Sequence, residues 1–236
     1  MSLGSKLLRR GVIRGLHAVG ILGDEDAMYY RAIYVAKREG ELRQLSKLLQ
    51  ILRVDLGRAA IDVGANVGVW TLALQDSFKQ VFAIEANSRL CRILRERTRS
   101  TVINAAASNT EGKLSLWIPS VEGVQQVGWT STDRANHPKA DNLEGMEVAC
   151  LRLENLLAAS NSSFLKIDVE GHEIAVLEGL GATVCVVKPT IICEVKENNI
   201  SAANRWARDM GFCMIPTSDL MKIDSSPEMY IFKARI

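Results

Sequence analysis

The sequence predicts an α/β protein built on a mainly parallel sheet with helices on both faces. From about residue 58 onward, short apolar segments alternate with amphipathic ones, as repeated strand–helix–strand units do. The apolar segments are hydrophobic along their whole length, which is typical of strands covered on both faces. A chain of 236 residues, 47% hydrophobic and 24% charged, is long enough for one such domain with an appendage.

Charge and cysteine content exclude several classes of protein. The formal net charge is +2, so we expect no nucleic-acid partner. The five cysteines form no CxxC pair, and most lie in apolar segments, which favours reduced, buried thiols and a cytoplasmic location. No run of about eighteen apolar residues is present, so no membrane-spanning helix is expected.

Residues 1–55 are predicted to form a helical extension that precedes an α/β domain at residues 56–236. Segments 28–40 and 41–52 have a helical composition, and leucines recur in the second at helical spacing. In residues 1–20, basic side chains are spread among apolar ones that share a helical face. Such a segment packs on the domain or makes peripheral contact with an anionic membrane, and we favour packing on the domain.

Within the α/β domain, each apolar segment is predicted to be a strand and each amphipathic segment a helix. In chain order the predicted strands are AAIDVG, QVFAIE, TVINAAAS, KLSLWIP, MEVACLRL, SFLKIDVE, PTIICEV, FCMIPTS and EMYIFKA. The predicted helices between them are VGVWTLALQDSF, SRLCRILRERTRS, ENLLAAS, HEIAVLEGLG and SAANRWARDMG. Such sheets bind ligands beyond the carboxyl ends of the strands, near a switch in strand order, so the polar residues at those ends are the candidates.

Residues 119–146 have no strand or helix periodicity and hold several glycines and prolines. A loop of this length in a compact domain is uncommon and often functional. We therefore predict a lid or substrate loop, with a disordered insertion as the alternative. Trp129 is a candidate for stacking on a sugar ring, and His137 lies in the same segment.

The turn after the first predicted strand is a candidate ligand-binding loop. Asp62 ends the strand, and Gly64 and Gly68 bracket the turn, with Ala65 and Asn66 between them. A dinucleotide-binding turn has three glycines around a pyrophosphate, and neither this spacing nor the preceding acid fits that ligand. A carboxylate at this point favours a ligand with a cationic amino or sulfonium group.

Glu85 ends the second predicted strand, where a carboxylate can accept hydrogen bonds from both hydroxyls of a ribose. The two strand ends together favour a nucleoside cofactor without phosphates. S-adenosyl-L-methionine fits, because its adenosine would meet Glu85 and its ammonium and sulfonium groups would meet the acidic strand ends.

The segment LKIDVEGHE, residues 165–173, places charged groups and a histidine directly after an apolar strand. Asp168 lies at the strand end and is predicted to face the cofactor pocket. Glu170 and His172 are alternative candidates for the base that takes a proton from an acceptor. Glu173 is predicted to interact with the free N–H groups of the first helical turn.

Glu194 ends the next predicted strand, so it should lie near Asp168 at the same edge of the sheet. Two carboxylates at equal height repel each other unless one holds a proton or a cation bridges them. A Mg²⁺ ion at Asp168 and Glu194, with Glu170 as a third candidate, is therefore a hypothesis, although no complete ligand set is evident.

Four segments in this order resemble the FkbM-type S-adenosylmethionine-dependent methyltransferases: IDVGANVGVWTLAL, FAIEANSR, INAAASNTEGKLSL and LKIDVEGHEIAVLEGL. The resemblance covers about residues 58–196. It implies a seven-stranded, Rossmann-like class I methyltransferase fold for residues 56–236, and O-methylation of a sugar or polyketide hydroxyl. The family often has Glu-Pro-Asn-Pro where this chain has EANS, at Glu85–Ser88.

The resemblance also implies roles for individual residues. The glycine turn would line the methionine end of the cofactor, Glu85 would hold its ribose, and the stretch around Ala106 and Ala107 would lie along its adenine. The expected cofactor-binding residues are Asp62, Gly64, Ala65, Asn66, Gly68, Glu85, Ala86, Asn87, Ala106, Ala107 and Asp168. The expected catalytic residues are Asp168, Glu170, His172 and Glu194.

The expected function is O-methylation of a saccharide, glycolipid or polyketide-type small molecule, with S-adenosyl-L-homocysteine as product. Methylation of a protein or nucleic acid is an alternative on the same fold, and a non-catalytic binding module is another. The near-neutral charge disfavours a nucleic-acid target, and the retained acids disfavour a silent module. The glycine spacing disfavours a nicotinamide oxidoreductase.

Overall fold

The structure is a computed structural model that describes residues 23–39, 41–121, 124–125, 131–132, 134, 139–220 and 229–235. The segment considered for membrane contact, residues 1–20, lies outside the described residues, as do Trp129 and His137 of the predicted lid. None of the helices in the described ranges is long and apolar enough to cross a membrane.

Helices and strands alternate along the described residues. The helices are α1 (Asp24–Glu39), α2 (Glu41–Ile51), α3 (Val69–Gln75), α4 (Ser88–Arg97), α5 (Glu154–Ser160), α6 (Glu173–Gly179), α7 (Thr183–Val187) and α8 (Ile200–Asp209). The strands are β1 (Ala60–Val63), β2 (Val81–Glu85), β3 (Thr101–Asn104), β4 (Ala106–Ala107), β5 (Gly112–Val121), β6 (Val124–Gln125), β7 (Asn142–Leu151), β8 (Phe164–Ile167), β9 (Thr190–Glu194), β10 (Phe212–Pro216) and β11 (Met229–Ala234). Short 3-10 turns follow β9 at Glu197–Asn199 and β10 at Thr217–Asp219.

Seven strands form the main sheet in the order β10-β11-β9-β8-β1-β2-β3. All neighbouring pairs are parallel except the two made by β11, so the predicted seven-stranded, mainly parallel sheet is confirmed. From β1 the chain builds outward through β2 and β3, and then returns to form β8 on the other side of β1. Because the strand order reverses between β1 and β8, a ligand site is expected beyond their carboxyl ends.

The central strands are apolar in sequence because helices cover both faces of the sheet. Every residue of β1 and β8, and all but the last of β9, is buried. Two charged residues break this apolar pattern. Asp62 in β1 and Lys166 in β8 are register partners on adjacent strands, and both are buried.

A second sheet has the order β4-β7-β5-β6. Its largest part is the antiparallel pair of β5 and β7, which extends from Gly112 opposite Cys150 to Ser120 opposite Asn142. This pairing corrects the prediction of a structureless loop at residues 119–146, because both ends of that segment are strand. The early positions of β7 are exposed or half-buried, so no apolar alternation marks this part of the strand in the sequence.

Two further elements differ from the prediction. The segment TVINAAAS is divided between sheets, with β3 at the edge of the main sheet and β4 in the second sheet. The short helix α7, with the sequence TVCVV, is not predicted. Its β-branched composition favours a strand, and packing against α5 and the core overrides that preference.

Candidate active site

A cavity of about 290 Å³ opens beyond the carboxyl ends of β1, β2, β8 and β9. Its wall includes these residues of the expected site: Gly64, Asn66, Glu85, Ala86, Ala106, Ala107, Asp168, Glu170, His172 and Glu194. The rest of the wall consists of apolar side chains together with Thr132, from the segment between β6 and β7. The main sheet therefore brings together side chains that are far apart in the sequence.

Four residues of the expected cofactor set lie outside the cavity wall: Asp62, Ala65, Gly68 and Asn87. Asp62 and Ala65 are buried. Gly68 packs against Leu94 of α4, whose side chain would be 2.9 Å from an added Cβ. Asn87 is the N-cap of α4, and its side chain accepts a backbone hydrogen bond. These residues shape the loops around the cavity, a role that the motif alone does not distinguish from ligand contact.

Gly64 lies in the turn after β1, where that turn contacts Asp168 at the end of β8. Its φ is +75°, and an added Cβ would lie 1.9 Å from the carbonyl oxygen of Asp168. A glycine is therefore required both by the backbone angle and by the close approach. Asn66, two residues later, also has a positive φ of +51°, which asparagine tolerates better than most residues.

Glu85 holds two loops of the cavity together. Oε2 accepts a hydrogen bond from Asn66 N at 2.8 Å, and Oε1 accepts one from Asn87 N at 2.8 Å. Burial raises the pKa of Glu85, and the two amide donors partly offset that rise. Because each carboxylate oxygen can accept about two hydrogen bonds, Glu85 retains acceptor capacity for hydroxyl groups in the cavity.

Lys166 is a buried cation next to the cavity. Its Nζ lies 3.0 Å from Asp168 Oδ2, 3.5 Å from Gly64 O and 3.8 Å from Asp62 Oδ1. Burial disfavours the ammonium form, but Asp168 and Asp62 outweigh it, so the pKa of Lys166 is raised above its ordinary value. Thr71 Oγ1 donates to Asp62 Oδ2 at 2.6 Å. The ammonium group of Lys166 thus contacts β1 at Asp62, the turn after β1 at Gly64 and the end of β8 at Asp168.

Glu170 and Glu194 lie on either side of a second cation, Lys196. Its Nζ is 3.1 Å from Glu170 Oε2 and 3.6 Å from Glu194 Oε1. Glu170 has a φ of +48°, and Gly171 follows with +99°, so the chain turns sharply through a region that is costly for glutamate. Burial and the negative charges of Asp168 and Glu170 raise the pKa of Glu194 to about 7.

His172 precedes α6 and lines the cavity between two hydroxyl groups. Nε2 is 3.0 Å from Ser108 Oγ, and Nδ1 is 3.2 Å from Thr132 Oγ1. Burial lowers the pKa of His172, which keeps the imidazole neutral at pH 7. A neutral imidazole donates through one nitrogen and accepts through the other, so the two hydroxyls fix the ring from both sides.

The free energy of unfolding should depend on His172 between pH 7 and pH 5. Because its pKa is lower in the folded protein, the unfolded chain binds a proton first as the pH falls. The stabilising contribution is present above the unfolded pKa of about 6.5 and is lost as the pH falls below it. We expect His172→Asn to weaken this pH dependence, measured by urea unfolding across that range. Equal pH dependence in both proteins would contradict the lowered pKa.

Glu173 stabilises the turn into α6. It is fully buried, and its Oε1 accepts a hydrogen bond from Gly171 N at 2.6 Å. Its Oε2 accepts one from Asn199 Nδ2 at 2.8 Å. Both carboxylate oxygens of Glu173 therefore have hydrogen-bond donors, one in the turn before α6 and one in the 3-10 turn after β9. Glu173 is also the first residue of α6, so it lies in the first helical turn as predicted.

The Mg²⁺ hypothesis finds no support in the part of the chain that the structure describes. That part holds no group of three or more His, Cys, Asp and Glu side chains suited to a metal ion. Positive charge near Asp168 and Glu194 comes instead from the ammonium groups of Lys166 and Lys196. These lysines, with a proton on Glu194, relieve the repulsion that suggested a bridging ion.

Sequence reasoning does not assign a role to Lys166, Lys196, Ser108 or Thr132. Lys166 does carry a signal, because a lysine within an otherwise apolar strand is rarely buried without a partner. The other three carry none. Hydroxyl and lysine side chains are common in loops, and only the folded chain brings Thr132 into the cavity wall and Ser108 and Lys196 into contact with wall residues.

A sequence model of the methyltransferase FkbM domain matches residues 62–214 of this chain, whereas no curated protein matches it. The solved structures that resemble it include an FkbM methyltransferase from Methylobacillus flagellatus KT, with a TM-score of 0.55 at 13% identity. That alignment covers 98% of this chain and 60% of the other. Magnesium protoporphyrin IX methyltransferase from Synechocystis PCC 6803, solved with bound SAM, gives a TM-score of 0.46 at 10% identity and covers 94% of both chains.

The likeness to the Methylobacillus protein concerns the fold alone, and this chain spans 60% of that protein's length. The domain match is more specific, because residues 62–214 are well over half of the 236 residues. This match begins at Asp62 and includes the glycine turn, Glu85 and the acidic ends of β8 and β9. The chain therefore belongs to the FkbM methyltransferase family.

Proposed function

We propose that this protein transfers the methyl group of S-adenosyl-L-methionine to a hydroxyl of a saccharide, glycolipid or polyketide-type small molecule. The observation that carries the proposal is the acid-lined cavity at the reversal of strand order. Glu85 lies in its wall, and Asp168, Glu170 and Glu194 are further wall residues. Family membership supports the methyl transfer, and the cavity supports the choice of donor.

The charge of the cavity wall matches this donor. No lysine or arginine belongs to the wall among the described residues. A pyrophosphate would therefore meet carboxylates, and the nearby ammonium groups of Lys166 and Lys196 are already paired with those acids. S-adenosyl-L-methionine has no phosphate and carries a sulfonium and an ammonium group, which Asp168 at the end of β8 would attract. Its ribose hydroxyls would donate hydrogen bonds to Glu85, as the resemblance implies.

The reaction requires the protein to position the two reactants and to accept a proton. The acceptor oxygen attacks the methyl carbon in line with the carbon–sulfur bond, whose electron pair goes to sulfur. Because the sulfonium is already an activated leaving group, the main contribution is to hold the two reactants at the correct distance and angle. A hydroxyl acceptor also loses its proton, so a nearby base accelerates the step.

Calorimetry separates the two cofactor classes. We expect S-adenosyl-L-homocysteine to bind the wild-type protein and NAD to show no binding, since the cavity wall repels a pyrophosphate. Glu85→Gln should weaken S-adenosyl-L-homocysteine binding by about 10- to 100-fold, because it removes a charged hydrogen-bond acceptor. Binding of NAD without S-adenosyl-L-homocysteine would refute the proposed donor.

The matched control is Glu111→Gln, which removes an exposed glutamate in the turn before β5. This variant should bind S-adenosyl-L-homocysteine as the wild type does. A methyl-transfer assay with labelled S-adenosyl-L-methionine against glycans, glycolipids and polyketides then tests the acceptor class. Labelling of proteins or nucleic acids, with none of these small acceptors labelled, would overturn that part of the proposal.

A further inference from the structure

Glu194 lies in the acidic wall of the cavity, at the end of β9. It is the last residue of β9, and the residues before it and before Asp168 are register partners, Cys193 and Ile167. Both carboxylates therefore follow paired positions on adjacent parallel strands and reach the same cavity. On the other side of β9, Met229 of β11 is the register partner of Glu194. The neighbour of Glu194 on that strand is therefore apolar.

The other candidate bases of the wall are already engaged. Both ring nitrogens of His172 lie within hydrogen-bond distance of hydroxyl groups, at 3.0 and 3.2 Å. Glu170 lies 3.1 Å from Lys196 Nζ, and Asp168 lies 3.0 Å from Lys166 Nζ. An acceptor hydroxyl would have to displace a hydroxyl to reach His172, and Glu170 and Asp168 each already have an ammonium group within hydrogen-bond distance.

Glu194 is held less tightly. Within the described residues, the ammonium of Lys196 is its ion-pair partner at 3.6 Å, longer than a hydrogen bond. Its side chain is 22% exposed, and the carboxylate therefore remains accessible from the cavity. A hydroxyl placed in the cavity can donate to Glu194 without first displacing a hydrogen-bonded partner.

The charges around Glu194 act on its pKa in opposite directions. Asp168 and Glu170 disfavour its anion, whereas Lys196 and Lys166 favour it. Burial is the largest cause, and together with the two acids it raises the pKa of Glu194 to about 7. With a pKa near 7, the carboxyl group is deprotonated in about half of the molecules at pH 7. The carboxylate is then still basic enough to take up a proton.

We propose that Glu194 accepts the proton of the acceptor hydroxyl and that Lys196 is its positioning residue. This inference rests on the proposed function and adds the base. In the step, the acceptor oxygen bonds to the methyl carbon, the carbon–sulfur bond breaks, and its electron pair goes to sulfur. The hydroxyl proton moves to a carboxylate oxygen of Glu194, and a later exchange with water returns the base to its anionic form.

The first test requires no acceptor. Carboxyl groups of ¹³C-labelled glutamate are titrated by NMR in the protein saturated with S-adenosyl-L-homocysteine, and Glu194→Gln assigns the resonance. We expect a titration near pH 7 that moves to higher pH in Lys196→Met, because a positive charge that favours the anion is lost. Lys196→Arg should restore it, and the exposed Lys79→Met should leave it unchanged. A Glu194 carboxyl that titrates in the ordinary range of glutamate overturns the proposal.

The second test measures kcat against pH with labelled S-adenosyl-L-methionine and the acceptor found in the panel. Glu194→Gln should lower kcat by about 10²- to 10⁴-fold, while its S-adenosyl-L-homocysteine affinity stays within about twofold. Glu197→Gln, an exposed glutamate of the following 3-10 turn, should keep the wild-type kcat. Lys196→Met should shift the acidic limb of the profile to higher pH, which a merely structural lysine would not do.

Two results of this test would overturn the proposal. One is a Glu194→Gln variant with a kcat within about tenfold of the wild type. The other is a Lys196→Met variant whose acidic limb does not move. Failure of the proposed function has a different signature, because the wild-type protein would then fail to bind S-adenosyl-L-homocysteine in the calorimeter.

Discussion

Lys166→Met is expected to lower the free energy of unfolding by about 3–5 kcal/mol, the range found when one partner of a buried ion pair is removed. Lys166 is 3% exposed, and Asp62, its register partner, is 0% exposed. Burial already raises the pKa of Asp62, so without the ammonium group it would either hold an uncompensated buried charge or take up a proton, and both cost free energy. Urea unfolding followed by circular dichroism measures the loss.

The double variant Lys166→Met/Asp62→Asn serves as the control. Removing both charges leaves no uncompensated ion in the centre of the sheet, so we expect the double variant to be more stable than Lys166→Met alone. The loss of the Lys166 ammonium group should cost Asp168 less free energy than it costs Asp62, because the Asp168 side chain is 32% exposed. A single variant that loses less than about 1 kcal/mol would show that the ion pair does not compensate Asp62.

Gly64→Ala is expected to destabilise the protein by more than backbone conformation alone explains. A positive φ costs an alanine about 1–2 kcal/mol. The added Cβ would also lie 1.9 Å from the Asp168 carbonyl oxygen, and relieving such an overlap costs a further 1–3 kcal/mol, roughly. Because the clash pushes the glycine loop away from the end of β8, the affinity for S-adenosyl-L-homocysteine should fall as well.

Gly211→Ala separates these two contributions. Gly211 has the same φ of +75°, but no atom lies within 4 Å of its added Cβ. It lies between α8 and β10, away from the cavity, so cofactor affinity should be unchanged. The difference in the free energy of unfolding between the two variants measures the clash. Equal losses would mean that the contact of Gly64 with Asp168 relaxes without cost.

The fold was predictable because burial on both faces leaves a strong mark on the sequence. The strands at the centre of the sheet are apolar at nearly every position, and the amphipathic segments between them have helical periodicity. The parts of β5 and β7 that extend into the predicted loop, at residues 120–121 and 142–145, were missed for the opposite reason. Many of their residues face solvent, and a strand that buries little need not alternate between apolar and polar residues.

The candidate site was predictable to the extent that its residues end strands. Glu85, Asp168 and Glu194 follow apolar segments, and the parallel sheet brings their ends to one edge. The motif could not separate residues in the cavity wall from those that shape its loops. Asp62 looked like a ligand-binding acid, yet it is buried against Lys166, because an aspartate inside β1 cannot reach the cavity at the strand end.

The sequence by itself determined the class of fold, the family and the location of the site at the strand ends. These follow from local patterns, namely apolar runs, glycine turns and the acids that follow them. Tertiary structure alone decided which charges meet. Lys166 compensates Asp62 only because β1 and β8 are adjacent in this register, and Lys196 joins Glu170 to Glu194 only because β9 lies beside β8. Electrostatic energies depend on distances of a few ångströms, which residue order along the chain does not specify.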